Sequence, residues 1–206
     1  MRVCEVGFEE WVAARGVPGG GGVGLEGLGL LWRGRRRAVE GVRRVAAVGV
    51  VAAALGGVVT DVAVPRVWRA GVVGCVEPLP ELSRGGTFWF DLVVRVAPWA
   101  QDVVDGRGAE EAARWPVVVR PLAGGRAVAE REAVDAAARR VVGLVRAGLW
   151  WPAGYAGLVT ACDLADHAVG VAAGVLAARE AEVGALARAL GAVGSLSGAG
   201  VREVLE

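Results

Sequence analysis

Thr87-Phe-Trp-Phe-Asp-Leu-Val-Val-Arg-Val96 is the stretch whose reading decides the fold. Phe88, Phe90, Leu92, Val94 and Val96 form one apolar row at a spacing of two, while Thr87, Trp89, Asp91, Val93 and Arg95 form a mixed row. Alternate side chains of a β-strand point to opposite faces, so this pattern predicts a strand with one face in a core and one half-wet. Aromatic and β-branched residues suit a strand, and Gly85-Gly86 and Pro98 bracket the run as turn and stop. The expectation is a central strand against which a helical remainder packs.

Working outward, the valine-rich stretch before it predicts two more short strands, Val58–Val64 and Val67–Val76, separated by Pro65. Glu77-Pro-Leu-Pro-Glu81 reads as a stiff extended loop, because proline fixes φ and keeps its predecessor out of the helical region. Downstream, a short helix is expected from Ala109, and Val117–Arg120 reads as a fourth strand between Pro116 and Pro121. The arrangement resembles a β-meander. The predicted class is α+β: a small, mainly antiparallel sheet of three or four strands covered by two long C-terminal helices.

Those helices are read from periodicity. Arg126–Leu149 puts Val134, Ala138, Val141, Val145 and Leu149 on one stripe, with Asp135 and Arg139 four apart on the outside. A second helix is expected from Tyr155 to Val193. Val169, Leu176, Val183 and Leu190 repeat every seven residues there, with Leu186 and Val193 in a partnering row that Arg179 interrupts. Left exposed, such a seam would serve self-association, so a homo-oligomer through helix 155–193 is the expected partner.

Towards the N-terminus, residues 3–15 suit a short helix, and the glycine-rich segment that follows makes residues 1–30 a flexible leader to a single domain over 31–206. In that domain 31–57 is a basic-then-apolar helix, 58–122 the sheet region and 126–193 the helical pair. Arg33, Arg35, Arg36, Arg37, Arg43 and Arg44 precede the uncharged run Val45–Thr60. This order fits a buried helix with a solvated basic start. It also fits a single membrane span near 45–64 with the N-terminus inside. A helix over Val45–Thr60 is about 24 Å long, short of a hydrocarbon core of about 30 Å. The soluble, cytoplasmic reading is therefore favoured.

Gly22-Val-Gly24-Leu-Glu-Gly27 matches the dinucleotide fingerprint, but with 33 glycines in 206 residues roughly one match is expected by chance. No strand precedes it and no acidic residue closes a second strand beyond it, so no cofactor is expected.

The 23 basic residues are all arginine and face 22 acidic ones, for a net charge of +1. That balance removes any whole-chain case for nucleic acid. Lysine, asparagine and isoleucine are absent, which marks a GC-rich coding sequence. The same coding bias does not explain why serine, threonine, glutamine and histidine are so scarce. These are the residues of caps, turns and active sites, and their scarcity argues against an enzyme. A reading frame never selected for a chemical function would show the same deficit. Cys4, Cys75 and Cys162 are too widely spaced for a zinc knuckle or a disulfide framework, and Glu5, Glu9 and Glu10 interrupt any signal-peptide core.

Two constellations have chemically capable side chains. Cys162, Asp163 and His167 stand close together, with Asp163 and His167 one helical turn apart, as an Asp-oriented base beside a thiol would be. Five residues along a helix, however, turn His167 partly away from Cys162, and with no second histidine no metal site is expected. Trp89, Asp91 and Arg95 on the half-wet strand face, joined by Arg69 from the neighbouring strand, could line a pocket for an anionic or aromatic ligand. No specific reaction follows from either set. The chain reads best as a non-catalytic interaction or self-association module.

Overall fold

The structure is a computed structural model and describes residues 29–64, 71–74, 76–77, 82–107, 117–119 and 130–206. The expected helix at 3–15, the glycine-rich segment to residue 28, Arg69 and the helix from Ala109 lie outside the described residues.

Helix α1 covers Gly29–Ala54. From Val45 to Ala52 every side chain except the glycine is a fully buried valine or alanine, so this helix is core all round rather than along one stripe. It stops in a Schellman motif: Gly56 takes positive φ, its N–H donates to the Ala53 carbonyl at 3.0 Å, and Gly57 N–H donates to Ala52 at 2.8 Å. The chain then turns into strands β1 (Val58–Val59) and β2 (Asp61–Ala63). Residues 45–64 are thus not one helix, and the expectation of a single span there is corrected: the apolar run is half core helix and half sheet.

Two further short strands follow, β3 (Gly71–Val73) and β4 (Val76–Glu77). β1 pairs antiparallel with β4, and β2 pairs antiparallel with β3. β5 (Val117–Val119) lies parallel to β3, and β6 (Ser195–Ser197), from the far end of the chain, closes the other edge against β2. The larger sheet therefore runs β5-β3-β2-β6 and is mixed. The chain is α+β as expected, and three of the four strand pairings among the described residues are antiparallel, but the parallel β5–β3 pair and the late strand β6 make the larger sheet mixed rather than a simple meander.

The central stretch Thr87–Val96 is helical. It lies inside α2, Arg84–Val104, whose start is capped by Ser83: the hydroxyl accepts from Gly86 N–H at 3.2 Å. Phe90, Leu92, Val93, Val94, Val96, Ala97 and Ala100 are all buried. Apolar residues that face a core on nearly every side show alternation and helical period at once, so the spacing-of-two row could not discriminate between them. Pro98 sits within the helix and is buried; it removes one helical hydrogen bond without ending the element. The stretch is central, because α2 packs against α1, α3 and α4, but as a helix.

Helix α3 is Glu130–Arg146, with Val134, Ala138, Val141 and Val145 buried as the stripe predicts. Asp135 and Arg139 pair at 2.8 Å on its outer face. Leu149 lies beyond the helix end and is exposed. The expected single helix 155–193 is two helices, α4 (Ala161–Ala178) and α5 (Glu180–Val193), hinged at Arg179, which leaves the helical region with φ −120° and ψ 29°. Val169, Leu176, Val183 and Leu190 are buried, so the heptad row lies inside this chain's own core; of the partnering row Leu186 is buried and Val193 is exposed. The break lets α5 pack on α1 while α4 stays on α2. A last helix, α6 (Gly198–Leu205), follows β6 directly. Among the described residues, α4 alone is long and apolar enough to cross a membrane, and its inner face is packed in the core.

Candidate functional site

The N-terminal ends of α2 and α4 meet beneath the loop of residues 147–160. Gly85 is buried against the Trp150 indole, at a distance that leaves no room for any Cβ; only glycine lets the ring lie on the helix start. Gly148 and Gly154 take positive φ at two bends of the loop. Hydrogen bonds hold it between them. Trp151 Nε1 donates to the Tyr155 carbonyl at 2.8 Å, the Tyr155 hydroxyl donates to the Leu158 carbonyl, and Arg146 Nη2 donates to Val159 at 2.9 Å.

An aromatic cluster fills the space under this loop. Trp89 of α2 lies 6.1 Å from Trp150 and 5.6 Å from the His167 imidazole, centroid to centroid. Tyr155 approaches the same imidazole at 5.3 Å and Trp151 at 5.9 Å. His167 Nε2 is 3.3 Å from the Ala153 carbonyl oxygen. Partial burial, with the Asp163 and Asp166 carboxylates adding to it, pushes the Tyr155 phenol up from its ordinary range.

The residues singled out from sequence are therefore regrouped. Trp89 and His167, drawn from two different constellations, are ring neighbours. Asp91 and Arg95 leave Trp89: they pair with each other at 2.8 Å along α2, and Arg140 of α3 reaches Asp91 at 3.4 Å. A strand would have put all three on one face, whereas a helix turns residues 89 and 91 to different sides. Of the expected pocket residues, Trp89 thus lies apart from the Asp91–Arg95 pair, and Arg69 is outside the described residues. Asp163 serves the start of α4: its N–H donates to Thr160 Oγ1 at 3.1 Å and its carboxylate accepts from the same hydroxyl. Cys162 is half-buried in that first turn. Asp163 is thus placed at the cap of α4, and His167 Nε2 at the Ala153 carbonyl. Among the described residues no group of His, Cys, Asp and Glu is placed to hold a metal ion.

Trp150-Trp151-Pro152 directly follows the helix expected over Arg126–Leu149, and two adjacent indoles beside glycines are the one signal in the sequence for this packed loop. Three apolar side chains of this loop face solvent: Leu149 is 74% exposed, Trp151 50% and Leu158 75%. Each is held out on a hydrogen-bonded loop, so exposure is built in rather than a consequence of slack.

A second polar cluster joins the middle of α1 to the C-terminal end of α2 and the start of α3. Arg44, 1% exposed, bonds Asp102 at 3.0 Å and Glu130 at 2.9 Å. Glu130 also accepts from Val117 N–H of β5 at 2.8 Å. Arg107 faces Asp102 at 3.4 Å and also bonds Asp105, while Arg43 links Asp105 to Glu180. Burial pushes Asp102 up to about 6 against the pull of Arg44 and Arg107, and burial raises Glu130 as well. This cluster ties the helices together.

No protein-family model matches the chain, and comparison with curated proteins finds no relative.

Proposed function

We propose that the chain is a non-catalytic association module that pairs with a second copy of itself through the 147–160 loop. The observation that carries this is the outward presentation of Leu149, Trp151 and Leu158 on one braced loop. Large apolar side chains grouped in this way at the surface mark contact sites, with Trp a frequent anchor. Both charges border the patch: Arg146 bonds Val159 on one side, and Asp163 caps α4 beside it. A surface with an apolar centre and mixed charge at its rim can meet its own copy across a two-fold axis, where each Arg faces an acid. A partner of one charge sign, such as an anionic membrane or a nucleic acid, would be matched on one side of the loop and repelled on the other. The buried heptad residues Val169, Leu176, Val183 and Leu190 favour this loop over the helical seam as the contact surface.

Sedimentation velocity on the full chain tests this. The unaltered protein should form a concentration-dependent dimer, and Leu149→Ser combined with Leu158→Ser should leave a folded monomer with an unchanged far-ultraviolet spectrum. An unaltered chain that stays monomeric at every concentration, or a double variant that dimerises as before, rejects the proposal. Equal loss of vesicle binding and no dimer would assign the loop to a membrane surface instead.

A further inference from the structure

The charged row between the helices holds one acid more than it has bases. Glu130 of α3 and Asp102 of α2 share Arg44 of α1, at 2.9 and 3.0 Å. Asp102 faces Arg107 at 3.4 Å, Arg107 also bonds Asp105, and Arg43 joins Asp105 to Glu180 at the start of α5. Acid and arginine alternate along this row, which begins and ends on an acid: four carboxyls against three guanidinium groups. Its two ends differ. The Glu180 side chain is 52% exposed, so water can satisfy it. Glu130 is 11% exposed and its neighbours Arg44 and Asp102 are buried, so a surplus negative charge at that end is held out of solvent.

Arginine keeps its proton throughout the range in which proteins fold, so a buried acid excess is relieved by a proton on one carboxyl. The donors around each acid decide which one takes it. Glu130 accepts from Arg44, from the Val117 N–H of β5 at 2.8 Å and from the Trp99 indole, and each bond favours its charged form. Asp102 meets Arg44 at 3.0 Å and Arg107 at the longer 3.4 Å. Burial raises both carboxyls and brings Asp102 to about 6. With the proton on Asp102, Arg44 and Glu130 are an equal pair, and Glu130 holds β5 through Val117. Without it, two carboxylates repel each other across one guanidinium. The element held least is then β5, three residues long at the edge of the sheet.

The charged groups that act on Asp102 are Arg44 of α1, Glu130 of α3 and Arg107 just beyond the end of α2. On α2 itself, Asp105 is engaged by Arg43, Arg107 and the Gln101 amide. Helix α4, which also packs on α2, carries no titratable side chain from Ala168 to Ala178, and Arg179 after it pairs with Glu182 at 2.9 Å.

We infer that this row is a proton-held latch: a proton on Asp102 leaves Arg44 to Glu130 and keeps strand β5 and the start of α3 closed on the helices, and its loss lets that corner open. The latch does not depend on the pairing proposed for the 147–160 loop. Asp102 binds its proton more tightly in the closed corner than when exposed, so closure is favoured at low pH and weakens as pH rises through about 6.

Amide hydrogen exchange of the full chain, followed by NMR and corrected for the intrinsic effect of pH, tests this. The Val117 amide, bonded to Glu130, should exchange faster than the amides of Leu92 and Leu176, which are fully buried in α2 and α4, because the corner opens without unfolding the core. A carboxyl at about 6 when closed and 3.8 when exposed makes that opening roughly tenfold more frequent at pH 7.5 than at pH 5. The carboxyl carbon of Asp102 should titrate with the same midpoint. Asp102→Asn cannot ionise and should hold Val117 at its low-pH protection throughout. Glu130→Gln keeps an acceptor for Val117 but removes the charge that repels Asp102, and should move the midpoint to lower pH. Exchange of Val117 at the core rate at every pH overturns the latch, as does protection that ignores pH or departs from the Asp102 titration. So does a pH response that survives Asp102→Asn, or a midpoint unmoved in Glu130→Gln.

Discussion

Val93→Asp separates the helical form of the central stretch from the strand that its alternation suggests. On a strand Val93 would share the half-wet face with Trp89, Asp91 and Arg95, and aspartate there would cost little. In α2, Val93 is buried among α1, α3 and α4 and is 1% exposed. Losing its apolar burial costs about 1.5–3 kcal/mol. Placing an unpaired carboxylate there adds roughly 3–5 kcal/mol. The sum is comparable with the whole stability of a domain, about 5–15 kcal/mol. The variant should therefore be largely unfolded by circular dichroism, or shifted far down a urea titration. A companion pair sharpens the test. The strand pattern puts Phe88 and Phe90 on the same core face, whereas the structure buries Phe90 and leaves Phe88 half-buried. Phe90→Ala should cost roughly 3–5 kcal/mol, and Phe88→Ala clearly less. A folded Val93→Asp protein within about 1 kcal/mol of the parent, the range of ordinary surface changes, would refute the helix, as would equal losses at Phe88 and Phe90.

Val183→Asp should unfold the domain rather than dissociate an oligomer, because Val183 is fully buried in α5; a folded monomer from this variant would return the heptad row to the surface. Arg44→Met should cost roughly 3–5 kcal/mol in a denaturant titration, since Asp102 and Glu130 would lose their shared cation in a buried joint; a neutral outcome would mean that the cluster contributes nothing. Burial pushes the Asp102 carboxyl up to about 6, from 3.8 for the exposed group. The folded state therefore holds the extra proton between those values, so this group's contribution is present at low pH and is lost as pH rises through 6. Stability should increase on going from pH 7 to pH 5, and Asp102→Asn should flatten that slope; an unchanged slope would exclude Asp102 as its source. After an alkaline carbonate wash, the full chain should leave the membrane fraction, because the 45–52 segment is core helix and 58–63 is strand; retention in the pellet would reject this.

Local periodicity was enough to locate much of the chain. The basic-then-apolar order before Gly56 marks α1, the stripe from Val134 to Val145 marks α3, and the valine clusters at 58–64, 71–73 and 117–119 mark strands. These elements bury one side or cross a core at their own period, so a one-dimensional pattern carries them. The seven-residue row from Val169 to Leu190 was also legible, but only as apolar spacing. Whether that row meets another chain or its own is settled by the turn at Arg179, which folds α5 back onto α1, and no local signal sets that direction.

Other features belong to the tertiary structure alone. Thr87–Val96 is apolar on almost every side because three helices surround it, and burial on all sides erases the difference between a period of two and one of 3.6. The parallel pairing of β5 with β3, and the closure of the sheet by β6, join residues far apart in sequence. The candidate site has the same origin. Trp89, Trp150, Tyr155 and His167 come from α2, a loop and α4, and what brings them together is the packing of α4 on α2 over a glycine that leaves room for an indole. Sequence alone determined which residue types could do chemistry and which stretches had to be buried. The meeting of Trp89 with His167, and the outward turn of Leu149, Trp151 and Leu158, were decided by packing, because each depends on where a second helix lies.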